Sequence, residues 1–135
     1  IEFERPIINY ELKLLGRKDK ALTMSVIDTR AISTDWYLYA YIDSPLTTPD
    51  GKHSLPWSLV YVDENNDIKT LSETPTLIFS GTANSGTTKT TEISWDEGNG
   101  ILYKVIEPLY NGETYFTEIN WILSDEKLYL TSVVL

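Results

Sequence analysis

Residues 115–125 read Tyr-Phe-Thr-Glu-Ile-Asn-Trp-Ile-Leu-Ser-Asp. A period of two through them puts Tyr115, Thr117, Ile119, Trp121 and Leu123 on one side, and Phe116, Glu118, Asn120, Ile122 and Ser124 on the other. Side chains of a strand alternate between faces, so the segment predicts a strand with one face against a sheet core. A second run, residues 36–42, has Trp36, Leu38, Ala40 and Ile42 on one face and Tyr37, Tyr39 and Tyr41 on the other. With no polar face it predicts a central strand, either covered on its tyrosine side or presenting an aromatic strip to a partner. Both runs contain Trp-x-Leu, an indole and an isobutyl group side by side on one pleated face.

The rest of the chain carries the same signals. Leu22, Met24 and Val26 alternate with Thr23 and Ser25, leading into Ile27-Asp28-Thr29-Arg30. Strands are predicted at 57–62, with Trp57, Leu59 and Tyr61 on one face, and at 68–71, 76–79, 90–95, 101–106 and 127–134. Between them lie turn-forming clusters: Thr48-Pro49-Asp50-Gly51, the acidic run 63–67, the small polar loop 80–88, Asp96-Glu97-Gly98-Asn99-Gly100 and Asn111-Gly112. Residues 1–20 are the least patterned. Ile1-Glu2-Phe3 reads as a short opening strand, Ile7, Ile8 and Leu12 as residues docking on the sheet, and 16–20 as a turn. Roughly nine strands at intervals of about ten residues predict one all-β domain over 1–135, a two-layer antiparallel β-sandwich.

Composition excludes several functions. The chain has no cysteine and a single histidine, His53, so disulfides, thiolate metal sites and histidine-clustered metals are not expected. No cofactor is implied. Twenty acidic residues against eleven basic ones give a net charge of −9, which disfavours nucleic acid and anionic membrane surfaces as partners. No apolar run reaches the roughly 18 residues needed to span a bilayer, so no membrane insertion is expected. The chain opens without a charged-then-apolar leader, so an exported form is expected to be a mature chain or an excised domain.

Candidate motifs carry bland readings beside sharp ones. Trp57-Ser58-Leu59 also fits Trp-x-Leu, and any such pair is at least as readily a core pair as a contact. Asp28 and Arg30 share a face and read as an ion pair or loop tether. The 96–100 and 63–67 runs are rich in oxygen ligands but lack calcium-loop spacing, and read as hairpin turns. A catalytic triad would have to be built on His53, and no nucleophile-elbow sequence accompanies it, so catalysis is not expected.

The order of several blocks resembles the WxL domain of Gram-positive surface proteins. The first half offers Leu22-Thr23-Met24-Ser25-Val26-Ile27-Asp28-Thr29-Arg30 followed by Trp36-Tyr37-Leu38; the second offers Trp95, residues 100–105, Gly112, Tyr115 and residues 119–125. Residues 126–135 extend beyond the point where that family's closing motif usually ends, and the region before Leu22 carries no pattern diagnostic of it. The resemblance implies an extracellular, non-catalytic module at the cell wall or cell surface, attached non-covalently to peptidoglycan or another wall glycan. It carries Trp36, Leu38, Trp121 and Leu123 over as binding-motif residues, with Tyr37, Tyr39 and Tyr41 as candidate contact aromatics. The alternative is a structural or protein-binding β-sandwich, a pilin- or adhesin-like module whose partner is another surface protein.

Overall fold

The computed structural model describes residues 13–15, 22–28, 34–82, 89–105 and 114–127. All elements in them are strands, and all their pairings are antiparallel. A four-stranded sheet runs in the order β1 (Lys13–Leu15), β10 (Gly100–Val105), β6 (Leu59–Val62), β7 (Ile68–Thr70). A three-stranded sheet has β3 (Trp36–Tyr41) between β11 (Asn120–Ser124) and β8 (Thr76–Gly81). Two smaller pairs complete the set: β2 (Leu22–Asp28) with β9 (Lys89–Trp95), and the short ribbon β4 (Leu46–Thr47) with β5 (Ser54–Leu55).

These sheets pack against each other as a β-sandwich around one main core. Val26, Ile93 and Trp95 enter it from β2 and β9, Trp36, Leu38, Ala40 and Ile78 from the three-stranded sheet, and Leu59, Tyr61 and Ile101 from the four-stranded one. The expected alternation holds in β2, where Thr23, Ser25 and Ile27 are exposed and Val26 and Asp28 buried. It gives way in β6, where Leu59, Val60, Tyr61 and Val62 are all buried. Its second face forms a separate cluster of Val60, Val62 and Leu102. Burial on both faces marks β6 as an interior strand.

Predicted turns form with the chemistry expected of them. In 63–67 the Asp63 carboxylate accepts from the backbone N–H groups of Asn65 and Asp67, both at 2.9 Å, and Asn66 takes φ +64°. Asn is among the few residues that tolerate this left-handed region, so the hairpin needs no glycine there. In 96–100 the Asn99 N–H donates to the Asp96 carbonyl at 3.0 Å and Gly100 takes φ +84°.

Three expectations are corrected. The strand predicted at 57–62 begins at Leu59, because Pro56 and Trp57 form a turn and Trp57 adopts φ +64°. The strand predicted over 115–125 is regular only from Asn120 to Ser124; before it, Phe116 makes an isolated bridge to Thr47. β8 runs on to Gly81 and carries a bulge: Leu38 pairs with Phe79 and Tyr39 with Leu77, leaving Ile78 as the extra residue. The readings on residues 1–12 and 16–20, Arg30, 83–88, Asn111-Gly112 and 128–134 lie outside the described residues.

Candidate functional site

Of the three Trp-x-Leu tripeptides, Trp36-Tyr37-Leu38 and Trp121-Ile122-Leu123 lie on neighbouring strands. β3 and β11 pair with Leu123 opposite Leu38, Trp121 opposite Ala40 and Ser124 opposite Tyr37. Residues directly opposite share a face, so Trp36, Leu38, Trp121 and Leu123 form one patch turned toward the main core. Trp36 is 4 % exposed, and its ring lies 5.6 Å from that of Phe79, tilted by 31°. Trp36 also stands opposite Gly81 in β8, and its indole occupies the space a Cβ at Gly81 would need. Leu38 is buried, and Trp121 packs half-buried on the same core. Leu123 departs from the set, being 55 % exposed.

The tyrosine face of β3 is not an open strip. Tyr39 is 2 % exposed, and Tyr37 and Tyr41 are half-buried. Neither Trp36 nor Tyr39 therefore offers a free ring face to a ligand.

One exposed indole is not foreseen from the sequence, where Trp57 shares one face of a strand with Leu59 and Tyr61. It is 67 % exposed. Pro56 and Trp57 are the central residues of a turn, and the φ of Trp57 is that of the second central position of a type II turn, normally held by Gly or Asn. The buried Ser58 hydroxyl donates to the Leu55 carbonyl at 2.6 Å and holds the turn closed. Pro in Leu55-Pro56-Trp57-Ser58 was the available signal, since Pro favours the first central position of such a turn. Beyond it, Phe116 and Thr47 exchange backbone hydrogen bonds at 2.9 and 3.0 Å, and Phe116 is exposed.

Two grooves open at the seams between sheets. The first, about 600 Å³, is lined by residues 77–80 of β8 and by residues 92–96, reaching from β9 into the following turn. Its floor includes Tyr61 and Trp95, whose rings meet edge to face at 6.3 Å. The Trp95 indole N–H donates to the Tyr61 hydroxyl at 3.1 Å, and that hydroxyl donates to the Ile78 carbonyl, also at 3.1 Å. This chain joins β9, β6 and β8, one strand from each of three sheets. Burial raises the Tyr61 pKa above its ordinary value of 10.0. Asp63, Glu64, Glu92 and Asp96 line the same groove with Lys69. The Asn99 side-chain amide donates to the Asp63 carbonyl at 2.6 Å, tying the two acidic turns together at one end.

The second groove, about 410 Å³, lies between β2 and β11 and is lined by Val26, Ile27, Asp28, Leu123, Ser124 and Asp125, with Trp36 behind them. Asp28, read in the sequence as a tether beside Trp36, is buried here.

His53 closes a turn. Its N–H donates to the Thr48 hydroxyl oxygen at 3.2 Å, while that hydroxyl donates to the Asp50 carboxylate at 2.7 Å. The Lys52 N–H, 2.9 Å from the same carboxylate, is the largest influence holding Asp50 below its ordinary pKa, followed by the Thr48 hydroxyl. The charges of this loop thus serve its own turn. Among the described residues no group of three or more His, Asp or Glu is placed to hold a metal ion.

No family model matches the chain, and neither a curated protein nor a solved structure is significantly similar to it.

Proposed function

We propose that this domain is a non-catalytic, protein-binding β-sandwich that serves as a structural module in an extracellular complex on the Gram-positive cell surface. The observation that carries the reading is the placement of the tryptophan motifs. Trp36 and Leu38 of β3 are buried in the main core, where Trp36 is enclosed by Phe79 and the Gly81 backbone, and Trp121 of β11 packs half-buried on the same core. These side chains hold the core together, and among the described residues the seams between sheets remain as grooves that suit recognition of another protein. The setting at the cell surface rests on the order of sequence blocks resembling the WxL domain, of which the chain would be a divergent relative.

Attachment to peptidoglycan or another wall glycan is the second reading, and Trp57 is the observation that favours it. An indole that is two-thirds exposed and held in place by a closed turn can stack on a sugar face. The motif residues would then support the fold while Trp57 made contact.

Co-sedimentation separates the two. The protein-binding reading expects retention on Gram-positive envelopes, loss of retention after the envelopes are treated with protease, and no retention on purified, protein-free peptidoglycan. Retention on protein-free peptidoglycan, abolished by Trp57→Ala in a folded variant, overturns it in favour of the glycan.

A further inference from the structure

We infer that Asn99 is a site of spontaneous covalent modification, and that loss of its side-chain amide as ammonia permanently unties the turn 63–67 from the turn 96–100. The inference stands apart from what the domain binds. Asparagine is a thermolabile residue, and here Gly100 follows it, with no Cβ to hinder approach to the side chain before it. In such a pair the Gly100 backbone nitrogen attacks the Asn99 Cγ; a C–N bond forms and the Cγ–Nδ2 bond breaks. The departing nitrogen takes up the proton that the Gly100 nitrogen loses and leaves as ammonia. Water then opens the cyclic imide at either carbonyl, giving aspartate or isoaspartate at 99.

The position of the amide gives the reaction its consequence. Its nitrogen donates to the Asp63 carbonyl at 2.6 Å and to the Asn66 Oδ1 at 3.3 Å, so both of its hydrogens are engaged across the gap between the turns. The Asp63 carbonyl also accepts the Asn66 backbone N–H at 3.0 Å and thereby closes its own turn. After conversion an ionised carboxylate oxygen stands where the nitrogen was. Asn66 can turn its amide about and donate to it, but the Asp63 carbonyl only accepts, and two acceptors at 2.6 Å repel. Isoaspartate adds a backbone methylene directly before Gly100, which pairs with Val62, and so disturbs the register as well. The intact tie slows the reaction, because an amide held at both hydrogens must release them before it can turn toward the Gly100 nitrogen; conversion waits for the hairpin to open. Asp63, Asn65 and Asn99 line the groove between β8 and β9, so the modification adds a carboxylate to that groove and loosens one end of it.

The test incubates the full chain at mildly alkaline pH, in native buffer and in urea, and maps it by proteolysis and mass spectrometry. Conversion at 99 reads as a gain of about 1 Da in its own peptide, separate from the second Asn-Gly pair, Asn111-Gly112. It is expected to run at least roughly tenfold slower in the native chain than in urea, where the tie is broken. Asn99→Asp supplies the product directly. Hydrogen exchange at the Asn65, Asn66 and Asp67 amides, all bonded to Asp63 in the intact turn, is expected to quicken roughly tenfold in that variant. Wild-type chain converted after folding gives the same readout if the variant does not fold. An Asn99 still intact after long incubation in urea overturns the assignment of the site. Equal rates in native buffer and in urea, or unchanged exchange across 63–67 in the converted chain, show that the tie neither guards the amide nor depends on it, and overturn the inference.

Discussion

Leu38 and Leu123 face each other directly across β3 and β11, yet Leu38 is 3 % exposed and Leu123 55 %. They hold the same place in the same tripeptide and share one face of one sheet. The difference follows their strands: β3 has a neighbour on each side, whereas among the described residues β11 pairs with β3 alone. Leu38→Ala should therefore cost about 2–5 kcal/mol, while Leu123→Ala stays within about 1 kcal/mol. Urea denaturation of the two variants checks this, and equal losses would mean that the groove beside Leu123 closes in solution.

Gly81 is required by its cross-strand partner. The Trp36 indole lies over it, so an added methyl must displace a ring already held by Phe79. Gly81→Ala is expected to destabilise the fold by about 1–3 kcal/mol, against the usual gain in strand propensity on replacing glycine. Pairing it with Trp36→Leu should recover part of the loss in a double-mutant cycle, because the smaller side chain vacates the space.

The Trp95–Tyr61–Ile78 hydrogen-bond chain makes Tyr61→Phe more costly than its one lost oxygen suggests. The substitution leaves a buried indole N–H and a buried carbonyl each without its partner, at about 1–3 kcal/mol for each group. The same hydroxyl sets a pH dependence. Its folded pKa is raised above 10.0, so the folded state keeps a proton that the unfolded state has released. This contribution is fully present below pH 10.0 and is lost as the pH rises toward the folded value. Wild-type stability should fall above about pH 10, and Tyr61→Phe should fall less steeply over that window.

Trp57 holds its φ of +64° at a cost that glycine would not bear. Relief of backbone strain is worth about 1–3 kcal/mol and is offset in part by the extra freedom of glycine in the unfolded chain. Trp57→Gly should leave stability unchanged or raise it by about 1 kcal/mol, as read from the thermal midpoint. A clear loss would show that the exposed ring packs more tightly in solution than its exposure indicates.

Much of the architecture was legible in the residues. The alternation in Leu22, Met24 and Val26, the all-apolar run from Trp36 to Ile42 and the Asn- and Gly-bearing turns each act within a few residues. β2, the central position of β3 and the β6–β7 hairpin follow from them. Two features defeated the same reasoning for physical reasons. Leu55-Pro56-Trp57-Ser58 carries a turn signal and a strand-forming indole at once, and the left-handed backbone at Trp57 is an exception to the rule that reserves such geometry for Gly or Asn. The tyrosines of β3 show what period two can say: it separates them from the Trp36 face but does not tell how far each is covered.

The sequence by itself determined that this chain is β-structured, where most of the described turns fall and which residues share a face in strands such as β2 and β3, because those properties depend on neighbours one to four positions away. Only the tertiary structure decided that the two Trp-x-Leu pairs stand side by side, that Trp36 is enclosed while Trp57 is exposed, and that open seams lie between β8 and β9 and between β2 and β11. Those outcomes depend on which distant strands pair and which remain at an edge. Trp36 finds its cover in Phe79 and Gly81, and Leu38 faces a residue from the far end of the chain. Burial and exposure are properties of that assembled neighbourhood, which no local period encodes.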